Sequence, residues 1–287
     1  MKGRIRLLVL ALAGVLLTTS GAPAEAAPPT KTDKRRALVM GIGKHAGRTK
    51  GTVGGVGDAE AFHTALRAAG FQPDHIMVLT DKAATAAGIR KGLEWLEANS
   101  DDDTFSVFHF SGHVLQRGRD LDRDGEVLDE YLMTYNSRQL ISDRELSDRL
   151  KRVRGKLWAD IAGCEAAGFD EGGLSSPNRL VTASSQENQK SYEWPDWRRS
   201  VFTGLLVYEG MLQRRADSNR DGMVSIHEAF RHAADLAPQM TARQRMGPQN
   251  PYLAGGGGGD WFLQRPAPSA PAAQPKPAPL CILFCRS

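Results

Sequence analysis

Cysteine is scarce in this chain: Cys164, Cys281 and Cys285 are the only three in 287 residues. So few exclude a fold held together by a disulfide framework. No apolar run is long enough to cross a bilayer comfortably as a permanent helix. No stretch interleaves Lys or Arg with aromatic residues, which argues against nucleic acid as a partner. The G-x-S-x-G turn of an α/β-hydrolase esterase is absent. Gly54-Gly-Val-Gly57 lacks the Lys-Ser/Thr of a phosphate-cradling loop, so a nucleotide binder is disfavoured. No internal repeat stands out, and nothing calls for an organic cofactor.

What is present begins with a targeting segment. Lys2, Arg4 and Arg6 precede an apolar run from Leu7 to Leu17, and small residues follow, ending in Ala24-Glu25-Ala26. These are the three parts of a secretory signal peptide over residues 1–26. No Cys lies near the cleavage site, which argues against a lipid anchor. The expectation is an exported chain, extracellular or cell-wall associated, with no membrane attachment after cleavage and a monomeric state. Removing residues 1–26 leaves 34 basic residues of 37 and 32 acidic residues of 33, close to neutrality. In an oxidising compartment Cys281 and Cys285, four apart, can pair. Cys164 is then an odd thiol, a liability unless it is buried or used.

Residues 36–264 read as one α/β domain. Strand-like segments at 36–43, 75–80, 104–110, 156–162 and 179–185 alternate with helix-like segments at 58–69, 84–98, 143–153 and 201–215. Residues 260–263 are expected to close the sheet. Such alternation implies a largely parallel sheet covered by helices on both faces. Chemistry in such sheets gathers beyond the C-terminal ends of the strands. Residues 265–287 form a Pro/Ala-rich tail with a short apolar end, expected as an extended linker.

Two reactive residues follow two of these strands. His113 ends Phe110-Ser-Gly-His113, and Cys164 ends Asp160-Ile-Ala-Gly-Cys164. A cysteine is a strong nucleophile as the thiolate, so it needs a neighbouring base. The plain alternative is a glycine-rich turn with an incidental His and a core Cys.

Phe108-His-Phe-Ser-Gly-His113 and the Trp158–Gly168 segment resemble the strand-turn and nucleophile blocks of the caspase/metacaspase family of cysteine peptidases. Ala37–Gly43, Gly54-Gly-Val-Gly-Asp58, Leu180–Ser185 and Phe202-Thr-Gly-Leu-Leu206 fall where that family has its other motifs. The resemblance, to a secreted bacterial member, implies a caspase-like three-layer sandwich and hydrolysis of polypeptide substrates. It implies Cys164 as nucleophile, His113 as general acid/base, and the backbone N–H groups of Cys164 and Val114 as the oxyanion hole. Asp58 is implied as an acidic wall of a pocket for Arg or Lys. The chain departs from the family at Val114, where Gly is usual, and at Ala162, where metacaspases carry Asp. Glu165 and Ala166 replace the usual polar pair. A non-catalytic caspase-like module that binds peptides or partners is the competing reading. About fifteen residues join Cys164 to the next strand, too few for a cleavable linker between subunits.

Asp217-Ser-Asn-Arg-Asp-Gly-Met-Val-Ser-Ile-His-Glu228 has the spacing of an EF-hand calcium loop. It predicts Ca2+ held by Asp217, Asn219, Asp221, the Met223 carbonyl, Ser225 and Glu228, between helices at 201–215 and 226–236. Asp120–Gly125 is a partial version running on to Asp129-Glu130, and that stretch resembles a metacaspase calcium loop.

Overall fold

Strand β1 (Arg35–Gly41) is buried from Ala37 onward, as expected for a run with no polar side chain. The computed structural model describes residues 33–118, 128–170 and 172–264. The signal-peptide segment, the 265–287 tail with Cys281 and Cys285, and the Asp120–Gly125 loop lie outside the described residues.

The central sheet adds β2 (Ile76–Thr80), β3 (Phe105–Ser111), β7 (Lys156–Ala162), β8 (Arg179–Ala183) and β11 (Tyr252–Gly255), in the order β11-β8-β7-β3-β1-β2. All pairings are parallel except β11 on β8. Side chains alternate between the two faces, as strand geometry requires. Val39, Val107, Trp158 and Leu180 join the core beneath α1 (Gly55–Ala68) and α5 (Ile226–Arg243). Leu38, Met40, Phe108, Phe110, Ile161 and Val181 join the core beneath α2 (Ala86–Ala98) and α3 (Asp143–Lys151). Each fully buried Leu or Phe contributes roughly 1.5–3 kcal/mol, so two such cores hold a three-layer sandwich. This is the expected fold class, a largely parallel sheet covered by helices on both faces.

Glycine sets how closely α1 approaches the sheet. A Cβ on Gly41 would stand 2.2 Å from the Gly55 carbonyl oxygen, so the helix start can cross the end of β1 only without a side chain there. That crossing brings Asp58 under the sheet's C-terminal edge.

Three expectations need correction. Residues 260–263 form no strand; Trp261 and Leu263 are buried in the helix-side core, and β11 at Tyr252–Gly255 closes the sheet instead. The segment at 201–215 is one α-turn, α4 (Val201–Thr203), running into a π-helix at Gly204–Leu212. The segment after the calcium-type loop, expected to stop near 236, runs to Arg243 through Pro238. A second antiparallel sheet of β4 (Val114–Arg117), β5 (Asp129–Met133) and β6 (Leu140–Ser142) packs beside the strand ends. A two-residue pair, β9 (Glu193–Trp194) with β10 (Arg199–Ser200), borders the same edge.

Candidate active site

Register brings the two reactive residues together. In the β3–β7 ladder Ser111 is paired with Ala162, so His113 and Cys164 each lie two residues beyond a matched pair of strand ends. Both line one cleft of about 110 Å³, with Thr52, Ser111, Gly112, Ala162, Gly163, Ser191, Glu193 and Ser200.

His113 has a defined tautomer. Its Nε2 lies 3.0 Å from the Lys50 carbonyl oxygen, and a carbonyl can only accept, so Nε2 carries the proton. Nδ1 is then the basic nitrogen. The ring of His45 stacks on His113, with centroids 5.6 Å apart and planes 20° apart.

Cys164 is a free, half-buried thiol whose Sγ lies 3.9 Å from the Ser191 carbonyl oxygen. Burial pushes its pKa up; Glu165 and Glu193 push the same way, against the opposing Ser191 backbone contact and Lys190. The resting sulfur is therefore a thiol, which needs a base to become a nucleophile. Hydroxyls tie the turn around it: Ser184 and Ser185 donate to the Gly163 carbonyl at 2.8 and 3.1 Å, and the Gly163 N–H donates to Ser184 Oγ at 3.0 Å. A Cβ on Gly163 would stand 2.5 Å from Cγ2 of Val114, so Val114 packs directly on the residue preceding the thiol.

The Val114 N–H is left out of the small sheet's ladder. The Met133 N–H donates to the His113 carbonyl at 3.0 Å. That makes Val114 and Leu132 the non-hydrogen-bonded pair of the β4–β5 ladder, so the Val114 N–H points away from β5.

Asp58 is placed differently from a simple pocket wall. It is fully buried, beneath the cleft rather than on its surface. Ser111 Oγ donates to its Oδ2 at 2.7 Å and the Ser200 N–H to its Oδ1 at 3.0 Å; both donors line the cleft. Burial raises its pKa to about 6, against the opposing Ser111 and Ser200 hydrogen bonds and the nearby His109. Next to it, His109 Nδ1 and Asp160 Oδ2 form a fully buried pair at 2.8 Å, continued by Thr182 Oγ1 donating to Asp160 Oδ1 at 2.5 Å. The carboxylate that does reach the cleft is Glu193, whose Oε1 accepts from the Gly54 N–H at 2.5 Å. Glu193, at the start of β9, and His45, in the loop after β1, belong to no local motif, and only three-dimensional placement reveals them.

The calcium-type loop lies away from this cleft. Asp217 Oδ2 accepts from the Gly222 N–H at 3.1 Å, Asn219 Oδ1 from the Asp221 N–H at 2.8 Å, and Asp221 Oδ1 from the Met223 N–H at 2.7 Å. Ser225 and Glu228 make a capping box at the start of α5, and Ser218 Oγ donates to Glu228 Oε1 at 3.0 Å. Burial alone would raise the Glu228 pKa, but the bonds from Ser225 and Ser218 outweigh it and hold it low. Gly222 takes the left-handed φ of 84° that the sharp turn needs, and Asp217 Oδ1 is buried without a partner. As the side chains stand, no three His, Cys, Asp or Glu groups among the described residues converge on one point. The turn framework fits an EF-hand loop, while Asp217 Oδ2, Asn219 Oδ1 and Asp221 Oδ1 accept from the loop's own N–H groups. Asp129 and Glu130 of the partial loop are buried; the Asp143 carboxylate accepts from the Glu130 N–H at 2.8 Å, and Gln116 donates to Glu130 Oε1 at 2.7 Å.

Residues 34–254 match the caspase domain family. Among curated relatives, metacaspase-3 of Arabidopsis thaliana is 31% identical over 185 residues, or 59% of this chain. The chain spans about half (48%) of that relative's length. Two solved structures share the fold: a Geobacter sulfurreducens protein (TM-score 0.56, 18% identity, 77% of this chain and 94% of that one) and caspase-1 of Spodoptera frugiperda (TM-score 0.54, 14% identity, 81% and 90%). No described helix is long and apolar enough to cross a membrane. With the strand ends, the two reactive residues and the family match in agreement, the chain belongs to the caspase-domain family of cysteine peptidases.

Proposed function

We propose that this chain is an exported cysteine endopeptidase that cleaves polypeptides after Arg or Lys. The observation that carries the reading is the matched placement of His113 and Cys164 beyond the Ser111–Ala162 pair, on one cleft. His113 Nδ1 takes the proton of Cys164 Sγ, and the thiolate attacks the scissile carbonyl carbon. Charge developing on the carbonyl oxygen is met by the N–H groups of Cys164 and Val114. The protonated His113 gives its proton to the departing amine, leaving an acyl-thioester on Cys164. A water, deprotonated by the same Nδ1, then releases the acid and restores the thiol. Throughout, the Lys50 carbonyl holds Nε2–H and so keeps Nδ1 as the working nitrogen.

Specificity for a cationic side chain rests on two carboxylates. Glu193 lines the cleft directly. Asp58 acts from beneath through Ser111, whose hydroxyl proton is committed to Asp58 and whose lone pairs are left for a cation. Ala162 leaves room there without contributing charge. The test is thiol alkylation of Cys164 in wild type and His113→Ala, with a fluorogenic panel of Arg, Lys and Asp peptides. Equal alkylation rates in the two proteins, with no cleavage of any peptide, would leave a peptide-binding caspase-like module instead.

Export after cleavage near Ala26 is part of the same proposal; N-terminal sequencing of protein recovered from the medium checks it. We also infer that calcium binds the 217–228 loop and stabilises the fold more than it triggers catalysis. Support comes from the turn framework with Gly222 at its tip and from the unpartnered, buried Asp217 Oδ1. On binding, Glu228 has to exchange Ser218 for the ion.

A further inference from the structure

We infer that His45 is a positioning residue for His113, bracing the catalytic imidazole by its face. The inference rests on the reading of His113 as the general base.

A single loop holds His113 on two sides. The Lys50 carbonyl takes the ring's edge at Nε2, and His45, five residues earlier, lies against its face at 5.6 Å and 20°. Left alone, a histidine just past a strand end rotates freely about χ1 and χ2. An edge contact fixes the tautomer but permits rocking about the Nε2–H bond, and a stacked face removes that second freedom.

The loop is built rigidly enough to act as a support. The Gly43 and Lys44 N–H groups both donate to Asp81 Oδ1 at 2.8 Å, and the Ala46 N–H donates to the Tyr135 carbonyl at 2.8 Å. His45 itself is 8% exposed, and its Nδ1–H donates to the Thr134 carbonyl at 2.9 Å. Its ring therefore cannot swing without breaking a buried hydrogen bond. Its Nε2 is buried, its Nδ1 is held by Thr134, and His45 is not among the residues that line the cleft.

The choice of a face without charge matters for the chemistry. When His113 takes the Cys164 proton it becomes a cation, and a charged neighbour 5.6 Å away would oppose that step. Burial lowers the His45 pKa and proximity to His113 lowers it further, against the Thr134 carbonyl and Asp81, which favour the charged form. His113 and Asp81 are the charged or titratable groups acting on it. A neutral His45 supports the imidazole in both of its charge states.

The test measures alkylation of Cys164 by iodoacetamide against pH, together with kcat and KM on a cationic fluorogenic peptide. The full-length mature proteins compared are wild type, His45→Ala and His45→Phe. A rocking base misplaces Nδ1 by a fraction of an ångström, so His45→Ala is expected to slow alkylation near pH 7 and kcat about tenfold at unchanged KM. His45→Phe keeps the face and lacks the Thr134 bond; it is expected within about twofold of wild type and to keep the wild-type alkylation–pH profile. Should His45→Ala fail to fold, His45→Leu fills the space without an aromatic face and takes its place. A folded His45→Ala or His45→Leu with wild-type alkylation and pH profile overturns the brace. So does a His45→Phe protein as slow as the alanine variant. Alkylation reads the dyad without any peptide, so a failure to cleave peptides counts against the proposed activity and leaves this result standing.

Discussion

The cleft and the 217–228 loop are opposite cases of how a site is written into a chain. The loop is complete in twelve consecutive residues, yet its oxygens are turned onto its own N–H groups. The cleft has no such stretch. Thr52, His113, Cys164 and Glu193 are brought together from across 142 positions by the register of β3 on β7 and the loops beyond. A contiguous motif states which ligands are near one another and leaves their final orientation to whatever occupies the loop. A dispersed site is oriented by the fold before anything binds.

Breaking the cleft should therefore cost most. Cys164→Ala and His113→Ala are each expected to lower kcat/KM by at least about 10³-fold with little change in the melting temperature, because each removes a member of the dyad. Retained cleavage in either variant would make the pair incidental.

The floor of the cleft supplies a pH signature opposite in sign to that of Glu228 in the loop. Asp58, raised in the folded state from 3.8 to about 6, holds its proton more tightly folded than unfolded. Its contribution is therefore most favourable below pH 3.8 and declines as pH rises, levelling off above about 6. The decline is on the order of 3 kcal/mol. Asp58→Asn should lack that slope; denaturant melts at pH 4.5 and 7.5 compare the two, and parallel slopes would refute it.

Glu193→Gln asks whether the carboxylate that reaches the cleft selects the substrate. KM for Arg peptides is expected to rise about tenfold, equivalent to about 1.4 kcal/mol, with less change for neutral peptides. An equal change for both classes would assign Glu193 to holding the Gly54 N–H alone.

The smallest effect belongs to the loop. Calcium at about five times its Kd adds about 1 kcal/mol, a melting shift of roughly 2–4 °C. Glu228→Gln should abolish the shift while preserving α5, since Gln also serves in a capping box. A wild-type melt indifferent to calcium would reduce the loop to an ordinary turn.

Much of the fold was legible because β1, β3 and β7 are buried on both faces and read as apolar runs between turn residues. His113 and Cys164 were legible for the same reason, as reactive residues at the ends of such runs. The closing strand was not. Trp261 and Leu263 are apolar because they pack under the helices, whereas Tyr252–Gly255 joins the sheet as a short edge ending in glycines. Asp58 was legible as an acid near the site but not as a buried one, since its depth depends on α1 crossing β1 at Gly41 and Gly55. Glu193 and His45 act only through contacts with residues distant in the chain, and nothing beside them in sequence marks them.

The segment that follows the nucleophile has a bearing on how this molecule ages. Ala166, Gly168 and Phe169 are buried in a short 3-10 turn, and Tyr252 Oη donates to Asp170 at 2.7 Å, pinning the turn to the closing strand. A protease needs an extended, accessible stretch of substrate backbone, and here that stretch is available only after the core beneath β11 has opened. Nicking between Cys164 and Phe169 is thus expected only once that core has opened, so the bonds just after the reactive thiol are shielded for as long as the core beneath β11 stays closed.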